Sequence, residues 1–188
     1  PFAGPALVDE VMATAVDPTS AALRDRGVDY RGVLYAGLVL TADGPKMLEY
    51  NVRFGDPETQ VVLPRLSSDL VELLAQAAAG EMTATPTFVD DASVTVVCAA
   101  ERYPASPRTG DVIEGIDAAE ATGATVYCAG VSADADGRLV TAGGRVLAVT
   151  GSGPSLGAAR DAAYRAVGLI SWPGMQRRTD IARRAAGQ

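Results

Sequence analysis

Residues 46–58 read Lys-Met-Leu-Glu-Tyr-Asn-Val-Arg-Phe-Gly-Asp-Pro-Glu, a stretch that combines a strand pattern with several charged groups. Side chains alternate between the two faces of an extended strand. If residues 46–53 are extended, Glu49, Asn51 and Arg53 lie on one face and apolar side chains lie on the other. Carboxylate and amide oxygens suit Mg²⁺, and an arginine holds phosphate or carboxylate oxygens through two parallel hydrogen bonds. The pattern predicts a cation site, with a solvated strand face at a sheet edge as the alternative.

The residues that follow have the composition of a tight turn into a helix. Gly55 leaves the strand, Asp56 suits a helix N-cap, Pro57 suits the first helical position and Glu58 suits the first turn. The exposed N–H groups of a helix N-terminus attract anions. We therefore expect the charged strand to end beside a place where anions bind.

Two segments of the chain resemble one family of enzymes. Gly32-Val-Leu-Tyr-Ala-Gly-Leu and Leu48-Glu-Tyr-Asn-Val-Arg-Phe-Gly-Asp-Pro-Glu-Thr-Gln60 are similar to phosphoribosylamine–glycine ligase, an ATP-grasp enzyme of purine synthesis. The unbroken Arg-Phe-Gly-Asp-Pro-Glu block is specific to that family. The resemblance covers only the later part of the enzyme and continues through Gly110-Asp-Val-Ile, Gly143-Gly-Arg-Val-Leu-Ala-Val and Arg178-Thr-Asp-Ile.

The resemblance implies an α/β (α+β) fold. It implies the carboxy-terminal lobe of an ATP-grasp domain, with an antiparallel sheet and helices, followed by a small mixed α/β carboxy-terminal domain. The linker-like Thr83-Ala-Thr-Pro-Thr places the boundary. We expect residues 1–84 to form the part that carries the metal site and residues 85–188 to form the carboxy-terminal domain.

The resemblance also implies a reaction and a role for each site residue. ATP phosphorylates glycine, and the amine of 5-phosphoribosylamine attacks the glycyl phosphate to give glycinamide ribonucleotide, ADP and phosphate in de novo purine synthesis. Glu49 and Asn51 match the family's ligands for Mg²⁺ (or Mn²⁺). Arg53 matches an arginine beside the transferring phosphoryl group or the acyl phosphate. Asp56 either caps the helix or holds a substrate amine, and Glu58 is expected to be structural.

The family's amino-terminal substrate domain and its ATP-clasping lobe are not evident in the chain. We therefore expect the partners to be the missing amino-terminal part of the same enzyme and the small molecules ATP, glycine and 5-phosphoribosylamine. Alone, the chain is expected to be inactive and to bind ATP weakly. Two alternatives remain open. One is a non-catalytic fragment or paralogue that acts by binding a partner. The other is a different ATP-grasp carboxylate–amine ligase, against which the Phe-Gly-Asp-Pro-Glu continuation argues.

The composition excludes several classes of chemistry. The 188 residues include no histidine and two cysteines, which leaves no Ser-His-Asp or Cys-His arrangement and no zinc site of the ordinary type. A net charge of −7 argues against broad binding to nucleic acid or to a membrane surface. Residues 1–20 lack the pattern of a signal peptide and no stretch is long enough for a membrane span, so we expect a cytoplasmic protein. The remaining side chains suit phosphoryl transfer, which depends mainly on positioning and charge.

Periodicity and turn residues predict the main elements. Helical spacing runs to Val16, and Asp17-Pro18 is expected to break the helix before a second one from Thr19 to Arg26. Residues 32–41 are apolar on both faces, which predicts a central buried strand in a hairpin with residues 46–53. Further predicted elements are a helical stretch over 57–79 interrupted at Pro64 and capped afresh at Ser68-Asp69, strands at 93–100, 125–131 and 145–150, and a helix over 155–169.

Three positions depart from the family pattern, and one motif is set aside. Arg102 stands where the family usually has a glycine before Tyr-Pro, and Cys128 and Val131 replace a histidine and a threonine. These departures put in doubt any substrate contact made by the carboxy-terminal domain. The glycine-rich residues 151–157 differ by one residue in spacing from the dinucleotide fingerprint, so a glycine turn before a capped helix is the favoured interpretation.

Overall fold

A computed structural model describes residues 3–187, and it divides the chain into two units. The first unit contains the residues up to Asp56 together with Leu66–Phe88. The second contains Pro57–Arg65 and the residues from Val89 onward. The chain therefore passes from one unit to the other three times, whereas the sequence suggested one boundary after residue 84.

The first unit begins with a helix that is continuous across Pro18. It comprises α1 (Pro5–Val11), a π-helical segment (Met12–Val16) and α2 (Asp17–Asp25). The predicted break at Pro18 is wrong. The N–H of Asp17 donates to the carbonyl of Met12, five residues earlier. This widened turn directly precedes the proline, whose ring and missing N–H are incompatible with a regular helix interior.

A two-stranded antiparallel hairpin follows, as predicted. Strand β1 (Tyr35–Thr41) pairs with β2 (Gly44–Asn51), and Tyr35 lies opposite Asn51 at the open end. Strand β2 begins two residues earlier than expected and ends at Asn51, because β1 starts at Tyr35 and offers no partner farther along. In the described residues this sheet has only two strands. The prediction of a central buried strand is therefore wrong, and Val39 and Leu40 are exposed.

Proline and capping residues divide the next helical stretch as the sequence predicts. Helix α3 (Thr59–Val62) and a 3₁₀ turn (Leu63–Arg65) belong to the second unit, and α4 (Leu70–Ala79) belongs to the first. Asp69 caps α4, since its Oδ1 accepts from the N–H groups of Val71 and Glu72. Gly80 ends this helix with a φ of 76°, in the left-handed region.

The second unit is built on a four-stranded antiparallel sheet. In chain order its elements are β3 (Ala92–Ala99), α5 (Ile116–Glu120), β4 (Thr125–Cys128), β5 (Val131–Ala133), β6 (Leu139–Thr141), β7 (Arg145–Gly153), α6 (Leu156–Val167) and β8 (Gln176–Arg177). The sheet order is β4-β7-β3-β8, and β5 and β6 form a separate hairpin. The predicted strand over 125–131 is divided in two. Ser155 caps α6 through a bond from the N–H of Ala158, as predicted.

Helix α6 packs closely on β7 because of a glycine. A Cβ at Gly151 would lie 2.3 Å from the nitrogen of Ala163 and 2.5 Å from the carbonyl oxygen of Ala159. Gly151 therefore belongs to the core packing, which agrees with the interpretation that residues 151–157 are not a phosphate loop. The core of this unit is formed by Val94, Val96, Cys98, Val146, Leu147, Val149, Ala159, Ala163, Ala166, Val167, Ile170 and Trp172.

The two units differ sharply in how much apolar surface they bury. Among residues 3–187, Leu73 is the one buried apolar side chain of the first unit, and on the same helix Leu70 and Ala77 are half-buried while Leu74 is exposed. Several large apolar side chains of the hairpin and of the residues after it are exposed: Val39, Leu40, Met47, Leu48, Val52 and Phe54. None of the helices in the described part of the chain is long and apolar enough to cross a membrane.

Candidate metal and phosphate site

Glu49 and Asn51 lie two residues apart near the end of β2 and present their side chains together. The Nδ2 of Asn51 donates a hydrogen bond of 3.0 Å to Oε1 of Glu49. Glu49 is exposed and Asn51 is half-buried. The alternation of a strand therefore brings the carboxylate and the amide to one face, as the sequence predicts.

A β-bulge directly precedes this pair. Gly37 lies opposite Glu49, but the next residue, Leu38, lies opposite Met47, so Leu48 is an extra residue on β2. A bulge bends the strand and changes the direction of nearby side chains, and bulges are common beside functional sites. The bulge was not predicted from the sequence. The glycine inside β1 was the available signal, since glycine in a strand often marks a bulge or a close approach.

Tyr50 connects the strand to the first helix from the opposite face. Its hydroxyl donates to the carbonyl of Ala15 at 2.9 Å and accepts from Oγ1 of Thr19 at 2.7 Å. Ala15 lies in the π-helical segment and Thr19 lies one turn later, so one phenol binds both parts of the helix. No motif in the sequence indicates this contact, because it joins residues more than thirty positions apart.

Arg53 lies beyond the strand that was expected to carry it. Strand β2 ends at Asn51, and Arg53 occupies the bend that follows. Its Nη1 donates to the carbonyl of Phe54 at 2.8 Å, and the residue is exposed. The prediction that Arg53 shares a strand face with Glu49 and Asn51 is therefore wrong. Its role beside a phosphoryl group stays a prediction.

Asp56 and Glu58 lie in a turn before α3. The helix begins at Thr59 rather than at Pro57, although Glu58 already has helical backbone angles, with φ −65° and ψ −36°. Asp56 is exposed and stands three residues before Thr59. Whether Asp56 caps the helix or holds a substrate amine stays a prediction, and so does the structural role of Glu58.

Glu58 is half-buried and lines a shallow, open groove of about 240 Å³ on the second unit. The walls of this groove are mostly apolar and come from the turn before α3, strand β3, the start of α6 and the end of the chain. The other lining residues include Pro57, Val61, Val94, Leu156 and Ile181. This setting is consistent with a packing role for the stem of Glu58.

The donor set at the end of β2 suits a hard cation that keeps other ligands. Within residues 3–187 there is no group of three or more His, Cys, Asp or Glu side chains arranged to hold a metal ion. One carboxylate and one amide oxygen nevertheless match the way Mg²⁺ binds in phosphoryl-transfer enzymes. Such sites use one or two protein ligands and complete the octahedron with water and substrate phosphates. The pair fits that mode of binding and does not fit an all-protein cage.

The three positions that depart from the family pattern have different settings. Arg102 has a φ of 66°, in the left-handed region where glycine is favoured. Cys128 ends β4 and is exposed, whereas Val131 begins β5 and is half-buried. The other cysteine, Cys98, is fully buried, and this burial raises the pKa of its thiol to about 11. Nearby Arg177 has a smaller, opposing effect on that pKa.

Comparison with known proteins first defines the class of protein. The family model for the phosphoribosylglycinamide synthetase ATP-grasp (A) domain matches residues 1–59. The model for the phosphoribosylglycinamide synthetase C domain matches residues 93–184. The chain is thus part of an ATP-grasp protein joined to its carboxy-terminal domain. Since the two models together match well over half of its residues, the chain belongs to the phosphoribosylglycinamide synthetase family.

Individual relatives agree with this assignment. The phosphoribosylamine–glycine ligase of Streptomyces coelicolor is 50% identical over 192 residues, covering 100% of this chain and 46% of the relative. That of Mycobacterium tuberculosis is 48% identical over 179 residues, covering 94% of this chain and 41% of the relative. The chain therefore spans less than half the length of these curated relatives.

Two solved structures from Thermotoga maritima resemble the fold. The phosphoribosylamine–glycine ligase has a TM-score of 0.81 and 34% identity, covering 97% of this chain and 45% of that one. The N5-carboxyaminoimidazole ribonucleotide synthetase has a TM-score of 0.53 and 14% identity, covering 91% of this chain and 44% of that one. At this low identity the second likeness shows the fold alone.

Proposed function

We propose that this chain is the later part of an enzyme that ligates glycine to 5-phosphoribosylamine, as the names of its relatives state for them. The observation that carries the proposal is the contact between Glu49 and Asn51 at the end of β2, followed by Arg53 and the Phe-Gly-Asp-Pro-Glu turn. The pair presents two oxygen donors where the sequence predicts a cation. The products are glycinamide ribonucleotide, ADP and phosphate.

The reaction needs positive charge at each step. A carboxylate oxygen of glycine attacks the γ-phosphorus of ATP, and the bond from that phosphorus to the β-phosphate oxygen breaks to release ADP. The amine of 5-phosphoribosylamine then attacks the acyl carbon, the acyl–phosphate bond breaks, and the amine loses a proton. Because the nucleophile in the first step and both leaving groups are anions, catalysis depends on cations and on positioning.

Glu49 and Asn51 would hold the divalent cation, which we propose is Mg²⁺ or Mn²⁺. The cation's chemical contribution is to neutralise charge on the nucleotide phosphates. In the structure Nδ2 of Asn51 faces the carboxylate of Glu49. For both residues to bind one cation, the amide must turn so that Oδ1 faces it instead. The existing hydrogen bond holds the two groups together until that exchange occurs.

Arg53 is proposed to bind the transferring phosphoryl group or the acyl phosphate. Its guanidinium is exposed and uses Nη1 for a bond to the carbonyl of Phe54. A guanidinium offers five N–H donors, so this bond leaves others for phosphate oxygens. The position of Arg53 in a bend, rather than on the strand, allows the side chain to move toward a substrate.

The exposed apolar surface of the first unit supports the proposal that the chain works with an amino-terminal part of the same enzyme. Residues of both hairpin strands, such as Leu40 and Leu48, are about half or more exposed, at 51% and 68%. Soluble proteins bury most apolar surface of this kind against another element. We therefore propose that the chain alone is inactive, and that the enzyme acts in the cytoplasm, where phosphorylated metabolites are retained.

A chimaera tests the proposed function. The amino-terminal part of the Streptomyces coelicolor relative is fused to this chain, and phosphate release from ATP is measured with and without glycine and 5-phosphoribosylamine. Activity is expected only in the fusion and only with both substrates. Glu49→Gln should lower kcat at least 100-fold (about the effect of removing one transition-state charge contact), and the exposed Lys46→Gln should not.

Three results would contradict the proposal. Phosphate release by this chain without a partner would show that it is complete. Full activity of a Glu49→Gln, Asn51→Ala fusion would exclude the pair as metal ligands. A fusion that folds, binds ATP and never turns over with glycine would favour a non-catalytic protein or a ligase for another carboxylate.

A further inference from the structure

Gly37 stands directly opposite Glu49 across the hairpin. The two residues are paired in the register of β1 and β2. A Cβ built on Gly37 would lie 3.3 Å from the carbonyl oxygen of Glu49 and 3.4 Å from its Cγ. The first contact is tighter than nine in ten that real Cβ atoms make, and the second is at the short limit of ordinary van der Waals contact. A side chain at position 37 would therefore press on the backbone of Glu49 and touch its stem.

The backbone conformation at position 37 does not require a glycine. Its φ lies outside the left-handed region, unlike that of Gly44 in the same hairpin, which has a φ of 93°. An L-residue can adopt the conformation of Gly37 without strain. Glycine supplies space at this position, and the groups nearest to that space are the backbone carbonyl and the side-chain Cγ of Glu49.

The bulge and the glycine act at the same point of the strand. Leu48, the extra residue of β2, comes immediately before Glu49, and the register shift lies between Gly37 and Leu38 on the partner strand. A bulge increases the local twist of the strand and so sets the direction of the next side chain. Together the two features determine where the carboxylate of Glu49 lies relative to the amide of Asn51.

We propose that Gly37 is a positioning residue for Glu49, a role that rests on the proposed function of Glu49 and Asn51 as metal ligands. The absence of a side chain at position 37 keeps the stem of Glu49 against β1, so that its carboxylate remains beside Asn51. Mg²⁺ requires ligand distances close to 2.0–2.1 Å and near-octahedral angles. A shift of a few tenths of an ångström in Glu49 is therefore enough to weaken binding.

The test compares Gly37→Ala with a matched Gly157→Ala control in the 188-residue chain. Gly157 lies in α6, where a Cβ would meet nothing closer than 3.9 Å. Mn²⁺ is titrated into ¹⁵N-labelled protein, and paramagnetic broadening of the Asn51 side-chain NH₂ signals reports occupancy. We expect Gly37→Ala to need roughly 10-fold more Mn²⁺, a loss typical of residues that orient metal ligands. The control should match the unaltered chain.

A second mutation separates this inference from the proposed function. If Glu49→Gln leaves the broadening unchanged, the metal site itself is wrong. If Glu49→Gln lowers the affinity for Mn²⁺ to a value that is still measurable but Gly37→Ala does not lower it, only the positioning role is wrong. Gly37 should also act through the carboxylate, so adding Gly37→Ala to Glu49→Gln should cause no further loss. A merely structural role would instead lower the affinity equally in both backgrounds.

Folding is checked in the same samples. Signal dispersion in the ¹⁵N spectra shows whether each variant is folded before Mn²⁺ is added. If Gly37→Ala does not fold, deletion of Leu48 is the second variant, because it removes the bulge and leaves the glycine in place. We expect the same loss of Mn²⁺ affinity, and unchanged affinity in a folded deletion variant would overturn the inference.

Discussion

The side-chain amide of Asn51 donates a hydrogen bond of 3.0 Å to the carboxylate of Glu49, two residues earlier on the same strand. If residue 51 were also an acid, its carboxylate would repel that of Glu49. The neutral amide forms a hydrogen bond instead. Amide and carboxylate can thus stay together without a cation, and both still offer oxygen atoms to one. Replacing the neutral Asn51 by an acid should therefore have measurable consequences.

Asn51→Asp should make the stability of the first unit depend on a divalent cation. Two carboxylates about 3 Å apart repel each other when no cation lies between them. We expect the variant to have a lower Tm than the unaltered chain in EDTA and a larger rise in Tm when Mn²⁺ is added. Differential scanning fluorimetry measures both. Thr85→Asp, which adds an acid at an exposed loop position, is the control, and equal Mn²⁺ responses in the two variants would contradict the prediction.

Tyr50→Phe should loosen the hairpin from the first helix. The change removes two hydrogen bonds, the one that the hydroxyl donates to the carbonyl of Ala15 and the one that it accepts from Thr19. We expect a loss of about 1–2 kcal/mol in the free energy of unfolding of the first unit. Far-UV circular dichroism in urea is the appropriate measurement, because the single tryptophan, Trp172, belongs to the second unit and reports on that unit alone.

Tyr103→Phe is the control for that measurement. Tyr103 is 40% exposed, and its hydroxyl makes no hydrogen bond within the described residues. We expect its removal to leave the unfolding curve unchanged. If Tyr50→Phe also has no effect, the contact between the strand and the π-helical segment contributes nothing to stability.

Arg102→Gly should stabilise the second unit. A φ of 66° costs an ordinary residue roughly 1–2 kcal/mol, and glycine avoids that cost while adding some entropy to the unfolded chain. The net expected gain is about 0.5–1 kcal/mol in the free energy of unfolding. Urea unfolding followed by the fluorescence of Trp172 measures it.

The matched change Arg165→Gly should have the opposite sign. Arg165 is exposed in the last turn of α6, where glycine is less favourable than other residues by about 0.5–1 kcal/mol. Destabilisation by Arg102→Gly would show that the guanidinium makes a contact worth more than the backbone strain. It would also show that Arg102 stabilises the second unit more than the glycine usual in the family would.

Burial of Cys98 should make the second unit less stable in alkali. Its pKa is raised from 9.0 to about 11, because burial disfavours the thiolate. The unfolded chain therefore loses this proton near pH 9 while the folded chain keeps it to about pH 11. The contribution of the neutral Cys98 thiol to the free energy of unfolding is therefore fully present below pH 9 and is lost as the pH rises toward 11. A shift of this size corresponds to a loss on the order of 2–3 kcal/mol.

Cys98→Val isolates that contribution, because valine is similar in size and does not titrate. The free energy of unfolding of this variant should fall less between pH 9 and pH 11 than that of the unaltered chain. Cys128→Val is the control, since Cys128 is exposed. Parallel pH profiles for the unaltered chain and Cys98→Val would show that the thiol ionises equally in the folded and unfolded states.

Local chemistry made much of this structure predictable from the sequence. The carboxylate of Asp69 and the flexibility of Gly80 determine the ends of α4, and both depend on residues within one turn of the helix. The hairpin and the shared face of Glu49 and Asn51 follow from alternation and a turn signal. Each of these features needs only neighbouring residues to specify it.

Most of the features that were missed depend on residues far apart in the chain. The end of β2 at Asn51 is determined by where β1 begins, and no property of Val52 or Arg53 reveals that. The bulge at Leu48 is defined by how β2 pairs with Gly37 and Leu38 on the partner strand. Continuity of the helix through Pro18 depends on a widened turn that propensity rules do not anticipate. Pairing between the strands decides the first two features, whereas the widened turn lies within residues 12–17.

The path of residues 57–65 has a consequence for recombination between relatives. This segment lies before α4 in the chain, yet it belongs to the second unit, where the hydroxyl of Thr150 donates to the carbonyl of Gln60. If a gene crossover falls after Phe88, the recombinant protein has Gln60 from one parent and Thr150 from the other. Exchange of the carboxy-terminal half among homologous genes therefore preserves this unit only when the crossover falls before Pro57.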